Sequence, residues 1–230
     1  IIAAKNSNIG MGGPVMIEGG GLGNFKPEQI GPIDVQTQNG VVDIEVADDV
    51  EAVAAAKKYL SYFQGTTPSW EAADPLQLRD LIPENNRRAY NMRTVIKALA
   101  DTDSYLELRP KFGAGMITGL IRIEGRPFGL IANNCLHMAG AIEAEGADKT
   151  VRLMQLCQAH GLPILSLCDT PGFMVGPEIE KRAQVRHVCR MFVVGSHLTV
   201  PYFTVVLRRG YGLGAMAMAK GGFHESFFTA

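Results

Sequence analysis

The chain has 230 residues, 47% of them hydrophobic and 20% charged, and a formal net charge of -1. That length fits one large domain or two small ones around a buried core, and the near-neutral balance excludes any electrostatic case for nucleic acid or an anionic membrane surface as partner. No apolar run approaches the ~20 residues of a membrane span.

In chain order, Ile1–Ala4 reads as a strand remnant, and Ile9–Gly23 (IGMGGPVMIEGGGLG) follows with glycines too frequent for regular helix. The apolar residues among those glycines, Ile9, Met11, Val15, Met16, Ile17 and Leu22, predict an ordered, partly buried loop or short helix lining a pocket, because flexible linkers are polar. Val41–Val46 alternates as a half-exposed strand does. Asp48 or Asp49 then caps a helix over Val50–Phe63 with a buried stripe of Val53, Ala56, Leu60 and Phe63. Gly65–Pro83 holds three prolines and no sustained period, which marks a connection between two domains, with Trp70 as a packing anchor. Met92–Ala100 is amphipathic, with Val95, Ile96 and Leu99 inward.

From Tyr105 the pattern becomes α/β. Met116–Ile123 and Phe128–Ala132 are strands joined across Glu124-Gly125-Arg126-Pro127. A helix over Ala147–Ala159 follows, with Val151, Leu153, Met154, Leu156 and Cys157 inward and Gly161 at its end; Glu143, Glu145 and Asp148 are charges around its first turn. Pro163–Leu167 and Val200–Leu207 are short apolar strands, separated by one helix of about twenty residues reaching Gly195. Each strand feeds a glycine-bearing loop, Thr170-Pro171-Gly172-Phe173 after the first and Gly210-Tyr211-Gly212-Leu213-Gly214 after the second. Parallel strands ending in such loops put a ligand at the carboxyl edge of the sheet. The second loop opens a helix, whose free N–H groups and positive dipole end suit a developing oxyanion. The sequence thus offers a site of backbone amides, not of reactive side chains.

No Ser-His-Asp or Cys-His set accompanies it. His137, His160, His187, His197 and His224 follow no metal-ligand spacing. Cys135, Cys157, Cys168 and Cys189 lie apart in apolar surroundings and read as four buried, reduced thiols. Arg208 and Arg209, at the end of a strand beside the site, leave open a CoA phosphate, a carboxylate, an interface salt bridge or a solvated strand end. Since the chain begins at Ile1 and stops in the apolar SFFTA, an internal piece of a longer protein is expected.

Several stretches together, IGMGGP…IEGGGLG (9–23), GVVDIEVADDVEAVAAAKKYLSYF (40–63), ENNRRAYNMRTVIKALAD (84–101), TGLIRIEGRPFGLIANN (118–134), ADKTVRLMQLC (147–157), LPILSLCDTPGFMVG (162–176) and VPYFTVVLRRGYGLGAMAMA (200–219), resemble the carboxyltransferase (β) component of biotin-dependent acyl-CoA carboxylases of the acetyl- and propionyl-CoA type. The resemblance implies an α/β, crotonase-like fold in two lobes: residues 1–66 the end of the N-lobe, 67–104 the connection and first C-lobe helix, and 105–230 the C-lobe core. It implies carboxyl transfer from N1-carboxybiotin to the α-carbon of an acyl-CoA, with an enolate held by backbone amides and the proton taken by the biotin ureidate. Carried over by residue, Gly212, Leu213 and Gly214 fall at the C-lobe oxyanion positions and Thr170, Pro171, Gly172 and Phe173 beside the biotin. Gly12, Gly13 and Pro14 fall on the loop facing the acyl group, and Met216 looks into the acyl pocket. Leu213 departs from the family's usual small pair, so its side chain must point away from the ligand; proline at Gly214 is expected to delete a donor and spare the fold.

The cofactor implied is biotin on a partner carrier, with acyl-CoA as substrate and no metal. The partners implied are a biotin carboxylase or biotin carrier subunit and further copies of the chain, in a dimer-based oligomer up to a hexamer, in the cytoplasm or the mitochondrial matrix. A dinucleotide site is disfavoured, because Gly210–Gly214 reads G-x-G-x-G with no acidic residue twenty positions on. A biotin-dependent decarboxylase subunit, another CoA enzyme of the superfamily and a non-catalytic assembly module stay open.

Overall fold

The computed structural model describes residues 1–85, 87–222 and 228–230. Its N-terminal third holds β1 (Ile2–Ala4), α1 (Pro14–Gly19), α2 (Ile33–Gln38), β2 (Ile44–Val46) and α3 (Asp49–Ser61), followed by α4 (Leu78–Leu81) and α5 (Met92–Leu99). The remainder contains β3 (Leu106–Leu108), β4 (Met116–Ile123), β5 (Arg126–Asn133), α6 (Ala144–His160), β6 (Ile164–Thr170), α7 (Pro177–Glu180), α8 (Gln184–Ser196), β7 (Tyr202–Gly210), α9 (Gly212–Met218) and β8 (Phe228–Thr229). β1 and β2 pair in parallel, Ile2 opposite Ile44. The larger sheet runs β3-β4-β5-β6-β7-β8; its first two ladders are antiparallel and the other three parallel. The mixed α/β sheet is the arrangement expected from the sequence.

Period-2 burial explains the layers. On β4, Met116 and Leu120 face one apolar cluster with Val151, Met154 and Cys157 of α6, while Ile117 and Ile121 face a second cluster with Met92, Val95 and Ile96 of α5. On β6, Ile164 and Cys168 face the first cluster and Leu165 and Leu167 the second. The β4–β5 turn is two residues, Glu124 and Gly125, both at positive φ (51° and 75°), so β5 begins at Arg126 inside the stretch read as turn. Both turn amides donate to the Asp101 carboxylate, at 2.9 and 2.7 Å. Gly161 ends α6 in the left-handed region at φ 68°, as anticipated.

Four expectations are corrected. Of the stripe expected on α3, Phe63 packs against the first cluster as anticipated, but Val53 and Leu60 are exposed; Tyr59 packs on that cluster and Tyr62 is buried in their place, because aromatic area outweighs the branched aliphatics on the other face. The single long helix before β7 is two, α7 started by Pro177 and α8 entered through a left-handed Ala183 at φ 55°, a conformation costing about 1–2 kcal/mol in a residue other than glycine. Cys189 is exposed on α8, so only Cys135, Cys157 and Cys168 are buried thiols. Residues 9–23 do contain a short helix, α1, but Met11, Val15, Met16 and Leu22 are exposed, not lining an enclosed pocket.

Gly129 of β5 sits where α6 crosses the sheet: a Cβ there would run into Cys157 Sγ. Gly129→Ala is expected to cost about 1–3 kcal/mol in urea unfolding. Cys157→Ala in the same chain should recover part of that loss; strict additivity of the two changes would remove this packing account.

Candidate active site at the carboxyl edge of the sheet

β6 is buried along its whole length (ILSLCDT) and ends at Thr170. Its register with β7 shifts between Cys168 and Thr170, bringing Thr170 opposite Gly210. β7 therefore runs to Gly210, three residues past the expected end, and Arg208 and Arg209 are strand residues. The two glycine loops meet here, Tyr211 N donating to Thr170 O at 3.3 Å. Thr170 is fully buried; its hydroxyl accepts from Gly172 N at 3.1 Å and donates to Gly172 O at 3.2 Å, folding the loop back on itself. Phe173 packs its ring edgewise on Phe192 of α8 at 6.2 Å. Thr170 and Phe173 thus shape the loop from inside, and Pro171 is its exposed member.

Tyr211, in extended conformation, is the N-cap of α9, so Gly212, Leu213 and Gly214 form the first turn of the helix. The first inward amide is Ala215 N, which donates to Tyr211 O at 3.3 Å. Among the described residues no carbonyl accepts from the amides of Gly212, Leu213 or Gly214. Leu213 is 62% exposed, so its side chain is turned to solvent. Gly214 is buried, and a Cβ on it would lie 2.7 Å from Gly172 Cα and 2.9 Å from Phe173 N. Only glycine lets the first turn of α9 close onto the Thr170–Phe173 loop, and for the same reason a proline at 214 cannot spare the fold. Met216, one turn on, is partly exposed at the margin.

Beneath both loops lies a charged cluster that the sequence reading missed. Asp169, fully buried, accepts from Arg209 Nε at 2.7 Å, Arg208 Nε at 2.8 Å and Tyr90 OH at 2.9 Å. Arg208 stacks over the Tyr90 ring, 4.5 Å from its centroid, and donates to Arg88 O at 2.9 Å. Arg209 reaches Ala139 O at 2.7 Å. Burial on its own would raise the Asp169 pKa, but the hydrogen bonds from Arg208, Arg209 and Tyr90 outweigh it and hold the carboxyl below the usual range. The Tyr90 hydroxyl is pushed well above its ordinary value, by burial first and by Cys135 and Asp169 after it. Of the partners left open for the two arginines, the chain itself supplies a carboxylate. The available signal was an acid inside an otherwise apolar strand, Cys168-Asp169-Thr170.

Gly12, Gly13 and Pro14 are not brought to these loops within one chain. Gly13 caps α1 and Pro14 opens it. The segment is tied to its own neighbourhood, Ile9 N donating to Gly31 O at 2.8 Å and Ile9 packing on Ala3, Ile33 and Val42. The histidines are taken up locally: His187 Nδ1 lies 2.8 Å from Asp148, His137 3.2 Å from Glu143, and His160 stacks on Phe63 at 4.3 Å. His224 lies outside the described residues. No cluster of three or more metal-binding side chains occurs among the described residues, and no described helix is long and apolar enough to cross a membrane.

The carboxyl transferase domain model matches residues 1–229. Among curated proteins, the chain is 36% identical over 189 residues to the uncharacterized carboxylase YngE of Bacillus subtilis (79% of this chain, 37% of that protein). It is 30% identical over 229 residues to the methylmalonyl-CoA carboxyltransferase 12S subunit of Propionibacterium freudenreichii (96% and 44%). Among solved structures, a single-chain, multi-domain long-chain acyl-CoA carboxylase superposes with a TM-score of 0.96 at 56% identity, covering 98% of this chain and 23% of that one. The chain spans about two fifths of the length of the curated relatives it matches.

Proposed function

The chain belongs to the carboxyl transferase domain family, and from that premise we propose that it carries one half of a site for carboxyl transfer to the α-carbon of an acyl-CoA. Its mixed sheet flanked by helices is the crotonase-like fold of that family. One observation carries the reading: among the described residues the amides of Leu213 and Gly214 have no carbonyl acceptor at the mouth of α9, which is packed against the Thr170–Phe173 loop. Two preorganised donors there stabilise a negative oxygen as charge develops, and removal of one such donor costs about 10²–10³ in rate in other enzymes. Biotin, held on a partner carrier, supplies the carboxyl group when bound. Pro171 and the exposed edge of Gly212 are the surfaces of this chain that fit beside it, while Thr170, Gly172 and Phe173 fix the loop.

In this reading residues 1–66 end one lobe, 67–104 connect and 105–230 form the second. Gly12, Gly13 and Pro14 of one copy face the α9 mouth of another, with Met216 bordering the acyl pocket. The exposed Met11, Val15 and Met16 on one segment, and Leu136, Val175 and Leu213 around the other, support such a pairing of copies. A biotin carboxylase or carrier subunit would be the remaining partner, in an aqueous compartment. For the acyl chain, the sequence pointed to acetyl- or propionyl-CoA, whereas 56% identity to a long-chain enzyme favours a longer one.

The test is label transfer from the carboxybiotin-bearing carrier to a series from acetyl- to palmitoyl-CoA, using the full-length protein. Transfer to at least one acyl-CoA is expected, falling about 10²–10³-fold when the Gly214 amide is replaced by an ester oxygen. Folded protein that carboxylates none of them overturns the proposal.

A further inference from the structure

A second concavity lies apart from both glycine loops, between β2 and α3 on one side and the outer face of α6 on the other. Its volume is about 250 Å³, and Leu108, Leu153, Leu156 and Tyr59 supply its apolar wall. The charged side chains on that wall are Lys149, Arg109, Arg152 and Asp43, three cations to one anion. Ile1 and Ile2 close one side, and this count leaves out the α-amino group of Ile1.

The single carboxylate is already engaged. Arg109 Nε lies 2.9 Å from Asp43 Oδ1, but at an angle that leaves this buried nitrogen without a hydrogen bond. Lys149 is 1% exposed and, among the described residues, its ammonium meets only a neutral acceptor, Met116 O at 2.8 Å. Glu107, the acid that acts on Lys149 electrostatically, is spent on Arg93 at 2.6 Å. Burial lowers the Lys149 pKa to about 7, against the pull of Glu107 and helped by Arg93 and Arg109. Among the described residues Arg152 has no carboxylate within ion-pair distance. A buried amine without an anionic partner is costly, and an apolar cavity with a few convergent charges at one side is how proteins take amphiphilic ligands.

We propose that this cavity binds a monocarboxylate with a short aliphatic tail. The carboxylate sits among Lys149, Arg109 and Arg152, and the tail runs along Leu108, Leu153, Leu156 and Tyr59. Guanidinium and ammonium donors make charge-assisted hydrogen bonds to a carboxylate. At ~30 Å³ per water-sized group, the cavity holds about eight non-hydrogen atoms, the size of hexanoate. This inference does not rest on the carboxyl-transfer reading, since none of the lining residues belongs to either glycine loop.

Calorimetric titration of the protein with hexanoate tests it, with acetate and hexylammonium in parallel. Saturable binding of hexanoate is expected, at least tenfold tighter than acetate, with none of hexylammonium. Arg152→Glu, at an exposed position where folding is spared, should weaken it about tenfold; Lys149→Met should abolish it, and Leu156→Phe should block the tail. Absence of saturable hexanoate binding, equal binding of the amine, or undiminished binding in Arg152→Glu overturns the proposal, whether or not Lys149→Met folds.

Discussion

Asp169→Ala is expected to lower the unfolding free energy by about 3–5 kcal/mol, the loss seen when one partner of a buried charge set is removed. The size follows from what is left behind. Arg208 Nε, Arg209 Nε and the Tyr90 hydroxyl all donate to this one carboxylate, and the Arg208 and Asp169 side chains are 5% and 0% exposed. Among the described residues Arg208 would keep the neutral partners Asn85 O, Arg88 O and the Tyr90 ring, and Arg209 would keep Ala139 O. Neutral acceptors do not balance two guanidinium charges out of water. Asp169→Asn retains an acceptor oxygen and should cost less.

The two variants also differ from the parent in pH dependence. The Asp169 pKa is depressed in the folded protein, so its stabilisation is fully present above the unfolded carboxyl value of ~3.9 and is lost as pH falls through the folded value. Urea unfolding between pH 7 and pH 3 should give an acid limb that is steeper in the parent than in Asp169→Asn. Parallel limbs, or an Asp169→Ala protein as stable as the parent, would show that the cluster is not held by charge.

The second large effect belongs to Gly214→Ala. The added methyl carbon would stand 2.7 Å from Gly172 Cα and 2.9 Å from Phe173 N, both backbone atoms. The Thr170–Phe173 loop cannot yield easily, because Gly172 is bonded to Thr170 and to Ile142. The strain should therefore open the gap between α9 and the loop. A displacement of about 1 Å at reacting groups costs ~10²-fold in rate, and the overpacking itself about 1–3 kcal/mol of stability. We expect carboxyl transfer to fall about 10²-fold in kcat, with KM for acyl-CoA changed much less. A folded Gly214→Ala protein within twofold of the parent rate would detach the α9 mouth from the chemistry.

These expectations show which parts of the site were legible in the amino-acid string. The Gly-bearing turns after two apolar strands announced the carboxyl edge and the start of α9, because strand length and turn chemistry are local properties. Leu213 could be placed as outward-facing, since an N–H donor is independent of its own side chain. Asp169 could not be read, although it lies between two buried neighbours: its meaning depends on Tyr90 upstream and Arg208 and Arg209 downstream, partners 79, 39 and 40 residues away. The α3 stripe failed for a related reason. Helical spacing identifies an apolar face, yet α3 carries two, and contact with β1, β2 and the first cluster turned inward the one bearing Tyr59 and leading to Tyr62, leaving Phe63 as the expected residue that packs inward.

By itself the sequence determined the family, through the joint order of stretches spread over residues 9–219, and also the α/β class, the β4–β5 hairpin, the Gly161 stop of α6 and the stretches that form the two glycine loops, because each of these elements rests on residues close together in the chain. Only the tertiary structure decided that Thr170 and Phe173 point into the protein, that Gly214 touches the neighbouring loop, that one buried acid gathers two arginines, and that Lys149 lies in a cavity with unbalanced positive charge. Those facts depend on distances between residues far apart in sequence, and pairing across a folded sheet sets such distances where local periodicity cannot.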